Sequence, residues 1–227
     1  VARVLVNLLL SFFVGILFLQ TGYMQQSIYA RVGFLFFMTS IQAFITVVAA
    51  VLTFTEERAL FLREKMKHIY GTSAYFLGRT AVDIGMQTGL SILFGLPAYW
   101  MVGLQNDFGK FVQFSICLVM VGQSSQSYAL ILGALIPYRT VALMLSPLVM
   151  VPFMMTTGFF VTMKSIPGWL KWSCAISPQR YVFESLMDIE FSGLKLKCRL
   201  EEMITVPLDN GQLQRYCPLE RGEDVTE

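Results

Sequence analysis

Apolar residues run almost unbroken over five stretches of the chain, with short polar segments between them. A helix needs about 20 residues to cross a bilayer. Four runs reach that length: Val32 to Phe54, about Ser73 to Val102, about Phe111 to Ile136, and about Val141 to Met163. The first run, Val4 to Leu19, reads as a truncated or slightly short span. A signal peptide is disfavoured there, because no small-x-small cleavage site follows and the polar turn QTGYMQQSIYARVG leads straight into the next run. Backbone groups in lipid must be satisfied internally, so the runs are read as helices. None alternates over ten-residue segments as an outer-membrane barrel would. The expected architecture is an all-α membrane protein, a polytopic helical bundle forming one domain over 1–227. Its spans fall at about 4–19, 32–54, 73–102, 111–136 and 141–163.

Composition agrees: the 227 residues are 55% hydrophobic and 14% charged, against about 25% charged in a soluble domain. A net charge of +2 with scattered basic residues gives no footprint for nucleic acid. Between the apolar runs, charge gathers in one island, residues 53–80, TFTEERALFLREKMKHIYGTSAYFLGRT. With the N-terminus inside, Arg3, Arg58, Arg63, Lys65, Lys67, Arg79 and Arg139 are cytosolic, against Arg31, Lys110, Lys164 and Lys171 outside. Seven basic residues against four supports that orientation. The island is then cytosolic, and everything after residue 163 is exoplasmic. Five spans leave the tail CPLERGEDVTE outside, so a sixth span is expected beyond the last residue.

Residues 164–194 mix Trp169, Trp172, Tyr181 and Phe183 with Lys171, Arg180 and Glu184, a pattern of the membrane interface. Two short interfacial or re-entrant helices are expected, broken at Pro167 and Pro178. Cys117 reads as a small apolar residue of the fourth span. Cys174, Cys198 and Cys217 fall on the outside, where disulfides persist. Cys198 and Cys217 bracket a polar loop, and pairing them would constrain it by roughly 3 kcal/mol. Cys174 would then be left over.

Catalytic chemistry has no foothold. The chain carries no GxSxG, HExxH or GxxxxGK[ST], and its one histidine, His68, lies in the island. No catalytic, metal or cofactor site is expected in the chain itself. Within the island, Thr55 can cap a helix over 56–70 whose first turn holds Glu56 and Glu57. Ala59, Leu62, Met66 and Ile69 line one face and Gly71 stops it. Such a helix is either an interfacial connector or a coupling element. Arg79 and Asp83, four apart near the inner face, form an expected ion pair, structural or part of a polar relay. Gln123, Ser124, Ser125, Gln126 and Ser127 cluster at membrane depth in the fourth span, as close packing or as a polar cavity lining. Pro147 and Pro152 interrupt the fifth span's hydrogen bonding.

RVGFLFFMTSIQAF followed by EERALFLREKMKHIYGTSAYFLGRTAVD closely resembles the transmembrane domain of ABC transporters of the G (white/brown) subfamily. The residues that carry it are Arg31, Gly33, Leu35, Phe36 and Phe37, then Glu57, Arg58, Phe61, Arg63, Glu64, Tyr70, Ser73, Tyr75, Phe76, Leu77, Gly78, Arg79 and Asp83. SIPGWLKWSCAISPQRYVFESLMDIEFSGLKLKC resembles the family's re-entrant extracellular segment. The resemblance implies a coupling helix carrying Glu57, Arg58, Phe61, Arg63, Glu64 and Tyr70. It also implies a substrate cavity touching Gln42, Phe44 and Val151, and a plug at Phe159 and Phe160 in place of paired leucines. Ile41 stands where a family exporter has an asparagine, a lost hydrogen-bond donor. Further implications are a nucleotide-binding domain with ATP and Mg in the same full-length protein, and a second half-transporter as homo- or heterodimer. Membrane lipids are expected neighbours of an integral, multi-pass protein at the plasma membrane. The implied activity is ATP-driven export of amphipathic or lipid-like substrates by alternating access. The rivals are a transport-inactive receptor or scaffold of the same fold and an embedded lipid-modifying enzyme.

Overall fold

Long apolar runs set the helices, and two of them hold interior prolines, Pro97 in one and Pro147 and Pro152 in another. In the computed structural model the described residues are 2–19, 21, 27–67, 71–161, 168, 171–194, 204–207 and 213–216. They form α1 (Ala2–Leu17), α2 (Ser27–Met66), α3 (Thr72–Val102), α4 (Phe108–Leu135), α5 (Arg139–Met155), α6 (Lys171–Ile176) and α7 (Pro178–Phe191). Helices α2, α3 and α4, with 40, 31 and 28 residues, are long and apolar enough to cross a membrane. At 1.5 Å per residue even α4 extends about 42 Å, beyond the roughly 30 Å of hydrocarbon. Helices α1 and α5 are apolar but shorter. The last run was expected as a span to residue 163. Its helix ends at Met155, after Pro152, and the chain then turns through Gly158 at φ 98°. That left-handed value suits a residue without Cβ.

Terminal chemistry fixes the other boundaries. Asp107 caps α4 by accepting the Gly109 N–H at 3.1 Å. Gly103, at φ 72°, ends α3. Pro178 occupies the first turn of α7, where its missing N–H costs nothing.

The island departs from expectation. It is not a separate helix: α2 continues without interruption from its apolar part through Glu56 and Glu57 to Met66. Thr55 is therefore no N-cap. Its hydroxyl donates to the Val51 carbonyl at 2.9 Å, back along the same helix. Gly71 does not stop this helix either; it is the N-cap of α3. A second departure from an all-helical chain is an antiparallel pair, β1 (Ile204–Pro207) and β2 (Leu213–Tyr216), with Ile204 opposite Tyr216.

Packing follows the small residues. Helix α1 lies along α3, with Ser11 donating to the Phe94 carbonyl and Thr21 to that of Val102. A Cβ on Gly95 would lie 2.7 Å from Leu118, so α3 and α4 meet closely there. The main core gathers Phe34, Leu35, Phe36 and Met38 of α2, Phe94 and Tyr99 of α3, Phe114 and Leu118 of α4, and Phe183 and Leu186 of α7.

Candidate functional site

At one end of the bundle the island's charges meet α3. Arg79 pairs with Asp83 at 2.8 Å and also with Glu57 of α2. Asp83 is buried at 4% exposure, so its charge is compensated where solvent cannot compensate it. Phe61 stacks on Tyr75 with ring centroids 4.4 Å apart. Arg58 donates to the Gly133 carbonyl of α4 at 3.3 Å, and Arg139 of α5 pairs with Glu56 at 2.6 Å. The end of α2 is thereby tied to three helices. Arg63 is exposed and Glu64 half-buried on its last turns. Tyr70 and His68 lie outside the described residues, as do Cys198 and Cys217.

Midway along, a polar strip joins α2 to α3. Gln42 donates to Ser91 Oγ and Gln87 to Thr46 Oγ1, both at 2.8 Å, while Thr46 donates to the Gln42 carbonyl. Gln42 is completely buried between helices, and its Oε1 has no partner among the described residues. Gly122 of α4 rests on this strip. In the polar cluster of α4, Ser125 and Gln126 are buried, and Gln123 donates across to the Ile84 carbonyl and Thr88 Oγ1. Ser124 and Ser127 bond back to Met120 and Gln123.

Phe44 faces a different space. A groove of about 390 Å³ lies between α1, α2 and α3, with Phe44, Ile45 and Leu52 on one side, Val6 and Leu10 on another, and Leu90 behind. Arg3 stands at its end. Val151 does not join it; that side chain is exposed on α5. Phe159 and Phe160 are gathered by aromatic packing. Phe159 stacks on Phe36 at 4.6 Å and meets Phe183 of α7 edge-on, while Phe160 meets Phe36 at 5.1 Å.

The opposite end of α2 carries a group the sequence did not single out as a site. Arg31, wholly buried, pairs with Glu190 of α7 and donates to the Thr21 and Gly103 carbonyls at 3.0 and 3.2 Å. Gln105 donates to the Glu190 carbonyl, and Lys110 to Gln105 and to the Ser192 carbonyl. Burial pushes the Glu190 carboxyl above the usual carboxylate range, with Arg31, a backbone hydrogen bond of Gln105 and Lys110 acting against the rise. Arg31 and Glu190 each belong to a recognisable motif, but nothing in one motif points to the other 159 residues away. Cys174 is a buried free thiol. Among the described residues no group of three His, Cys, Asp or Glu side chains is placed to hold a metal ion.

Membrane-length helices bound by buried polar contacts, with a charged helical extension on one side, define a polytopic membrane domain. The family described as ABC-2 type transporter matches residues 1–191, and the chain belongs to that family. It is 26% identical over 230 residues to ABC transporter G family member 1 of Dictyostelium discoideum, covering 98% of this chain and 28% of that protein. It is 29% identical to the ABC transporter ATP-binding protein/permease wht-1 of Caenorhabditis elegans, covering 99% of this chain and 33% of that one. To the broad substrate specificity ATP-binding cassette transporter ABCG2 of Sus scrofa it is 33% identical over 194 residues, covering 85% and 29%. The chain thus spans about a third or less of the length of these relatives. It is an integral membrane domain related to G-family transporters.

Proposed function

We propose that this domain is the translocating half of an ATP-driven exporter for amphipathic or lipid-like molecules, working as a dimer by alternating access at the plasma membrane. ATP and Mg would be held by a nucleotide-binding domain of the full-length protein, since no residue pattern of this chain cradles phosphates. The observation that carries the reading is the uninterrupted α2, which joins a membrane-length apolar segment to a charged end bonded to α3, α4 and α5. A helix without a break transmits displacement along its axis. A push from an ATPase on the turns bearing Arg63 and Glu64 would therefore reach Phe44 and, beyond it, Phe36 under the Phe159 and Phe160 plug.

The test uses the full-length protein in liposomes. Arg63→Ala and Glu64→Ala are expected to leave ATP hydrolysis running while ATP-driven transport of a lipophilic dye falls. Transport undiminished in both variants would remove the coupling role from this end of α2.

A further inference from the structure

Among the described residues, Arg3 is the one charged residue in the wall of the groove between α1, α2 and α3. The groove's volume of about 390 Å³ lies within the range of small-molecule sites. Its neutral polar wall residues each spend at least one donor on the protein, and none carries a charge. Asn7 donates to the Arg3 carbonyl, Thr46 to the Gln42 carbonyl and Gln87 to Thr46 Oγ1, each at 2.8 Å. Arg3 is different. Among the described residues both of its side-chain bonds leave from Nη2, to the Ala49 carbonyl and to Thr53 Oγ1. A guanidinium has five N–H donors, so those on Nε and Nη1 remain. No carboxylate lies within ion-pair distance of Arg3 among the described residues. The two acids that share the adjacent polar cleft with it, Glu57 and Asp83, are both held by Arg79. Arg3, Val6, Asn7 and Leu10 recur at helical spacing on one face of α1, so the cation and the far apolar wall are about 10 Å apart along the helix. A cation with spare donors at one end of an apolar groove is complementary to an anion carried on an apolar body.

We infer that this groove selects anionic amphiphiles, with a carboxylate, sulfate or phosphate head against Arg3 and a single apolar body along Val6, Leu10 and Phe44. The inference names the substrate class of the transport path proposed above and rests on that reading. The head meets Arg3 by charge-assisted hydrogen bonds, and the body replaces lipid against the groove walls.

The experiment measures equilibrium binding, without nucleotide, to the full-length protein in nanodiscs of phosphatidylcholine at mildly alkaline pH. The probes are radiolabelled oleate and oleyl alcohol, which share a tail and differ in the head. Wild-type protein is expected to bind oleate roughly 10–100-fold more tightly than the alcohol. Arg3→Gln should bring that preference to within about twofold, and Arg3→Lys should keep most of it. Val6→Trp, which fills the groove, should weaken both probes alike. Equal binding of the two probes by wild-type protein overturns the inference, as does a preference that survives Arg3→Gln. So does loss of oleate binding when phosphatidylserine replaces part of the disc lipid, because a bilayer lipid then holds the site. If Arg3→Gln fails to fold, the wild-type preference and the Val6→Trp result still decide. Binding is read without ATP, so head selectivity can fail while the Arg63 and Glu64 variants still uncouple transport, and the reverse.

Discussion

Replacing Arg31 by Met should unfold the protein at a markedly lower temperature, and more so at alkaline than at acidic pH. Arg31 is fully buried and Glu190 nearly so, and the guanidinium serves Glu190 and two backbone carbonyls at once. Removing one partner of such a pair leaves the other uncompensated, which costs about 3–5 kcal/mol. For a unit of this size each kcal/mol moves the midpoint by roughly 2–4 °C, so the fall should be about 6–20 °C. The pH arm follows from Glu190. Burial already raises its carboxyl pKa, and Arg31 opposes the rise. Without Arg31 the folded-state value climbs further. A raised folded-state value contributes stability that is fully present below the unfolded value, near 4.3, and is lost as pH rises through the folded value. The deficit of Arg31→Met should therefore shrink on acidification toward pH about 5 and widen toward pH about 8. The assay is thermal unfolding of the full-length protein in detergent, followed by tryptophan fluorescence, for wild type, Arg31→Met, Glu190→Leu and the double variant. The double should recover much of the loss, with a coupling of about 0.5–3 kcal/mol. Strict additivity, or a deficit that does not change with pH, would refute the argument that the buried pair itself holds α7 to α2.

Three further outcomes follow from local geometry. A Cβ on Gly122 would lie 2.8 Å from Ser91 Oγ and 2.9 Å from Gln87 Nε2, so Gly122→Ala should destabilise by about 1–3 kcal/mol in the same unfolding assay. Thr55→Pro removes a backbone donor in the middle of α2 and should leave ATP hydrolysis measurable while abolishing ATP-driven dye transport in liposomes. Arg139→Ala deletes a pair whose side chains are both more than half exposed, and its midpoint should stay within the shift expected for under about 1 kcal/mol.

Hydropathy alone located the long helices, because a lipid-facing run leaves no other way to satisfy the backbone. The end of α2 was harder. Thr55, Glu56 and Glu57 after an apolar run look like a cap and first turn. Yet residues 56–66 contain no Gly or Pro and are rich in Leu, Glu, Arg, Lys and Met, which favour helix wherever they stand. The residues that argue for a separate helix argue equally for continuing the first, and the Thr55 hydroxyl is satisfied by the Val51 carbonyl. The i, i+4 spacing of Arg79 and Asp83 is readable in one dimension, whereas the share Glu57 takes in that pair depends on how α2 crosses α3. Gln42 has the polarity of a cavity residue, but burial against Ser91 is a property of packing that no local pattern encodes. Arg3 gained its place beside Phe44 the same way, through the antiparallel passage of α1 along α2.

The contacts of α2 also differ in kind along its neighbours, and that difference ranks how readily each neighbour can shift. To α7 it is bound by the buried Arg31–Glu190 pair, and to α3 by the Gln42, Thr46, Gln87 and Ser91 strip and by Glu57–Arg79. Separating such groups leaves buried polar atoms without partners, at about 1–3 kcal/mol each and more for a charge. To α5 it is bound by apolar packing of Val47, Ala50 and Val51 against Ala142 and Met150, by the exposed Glu56–Arg139 pair, and beyond α5 by the Phe36–Phe159 stack. Apolar surfaces can slide without orphaning a hydrogen bond, an exposed pair is worth under about 1 kcal/mol, and an aromatic stack adds only about 0.5–1.5 kcal/mol to its buried area. Helix α5 also contains Pro147 and Pro152, which remove two backbone donors, and is followed by the left-handed Gly158. Displacement between α2 and α5 therefore costs less than displacement of α2 from α3 or α7. The aromatic pair Phe159–Phe160 lies at the end of the element held by the weakest of these contacts.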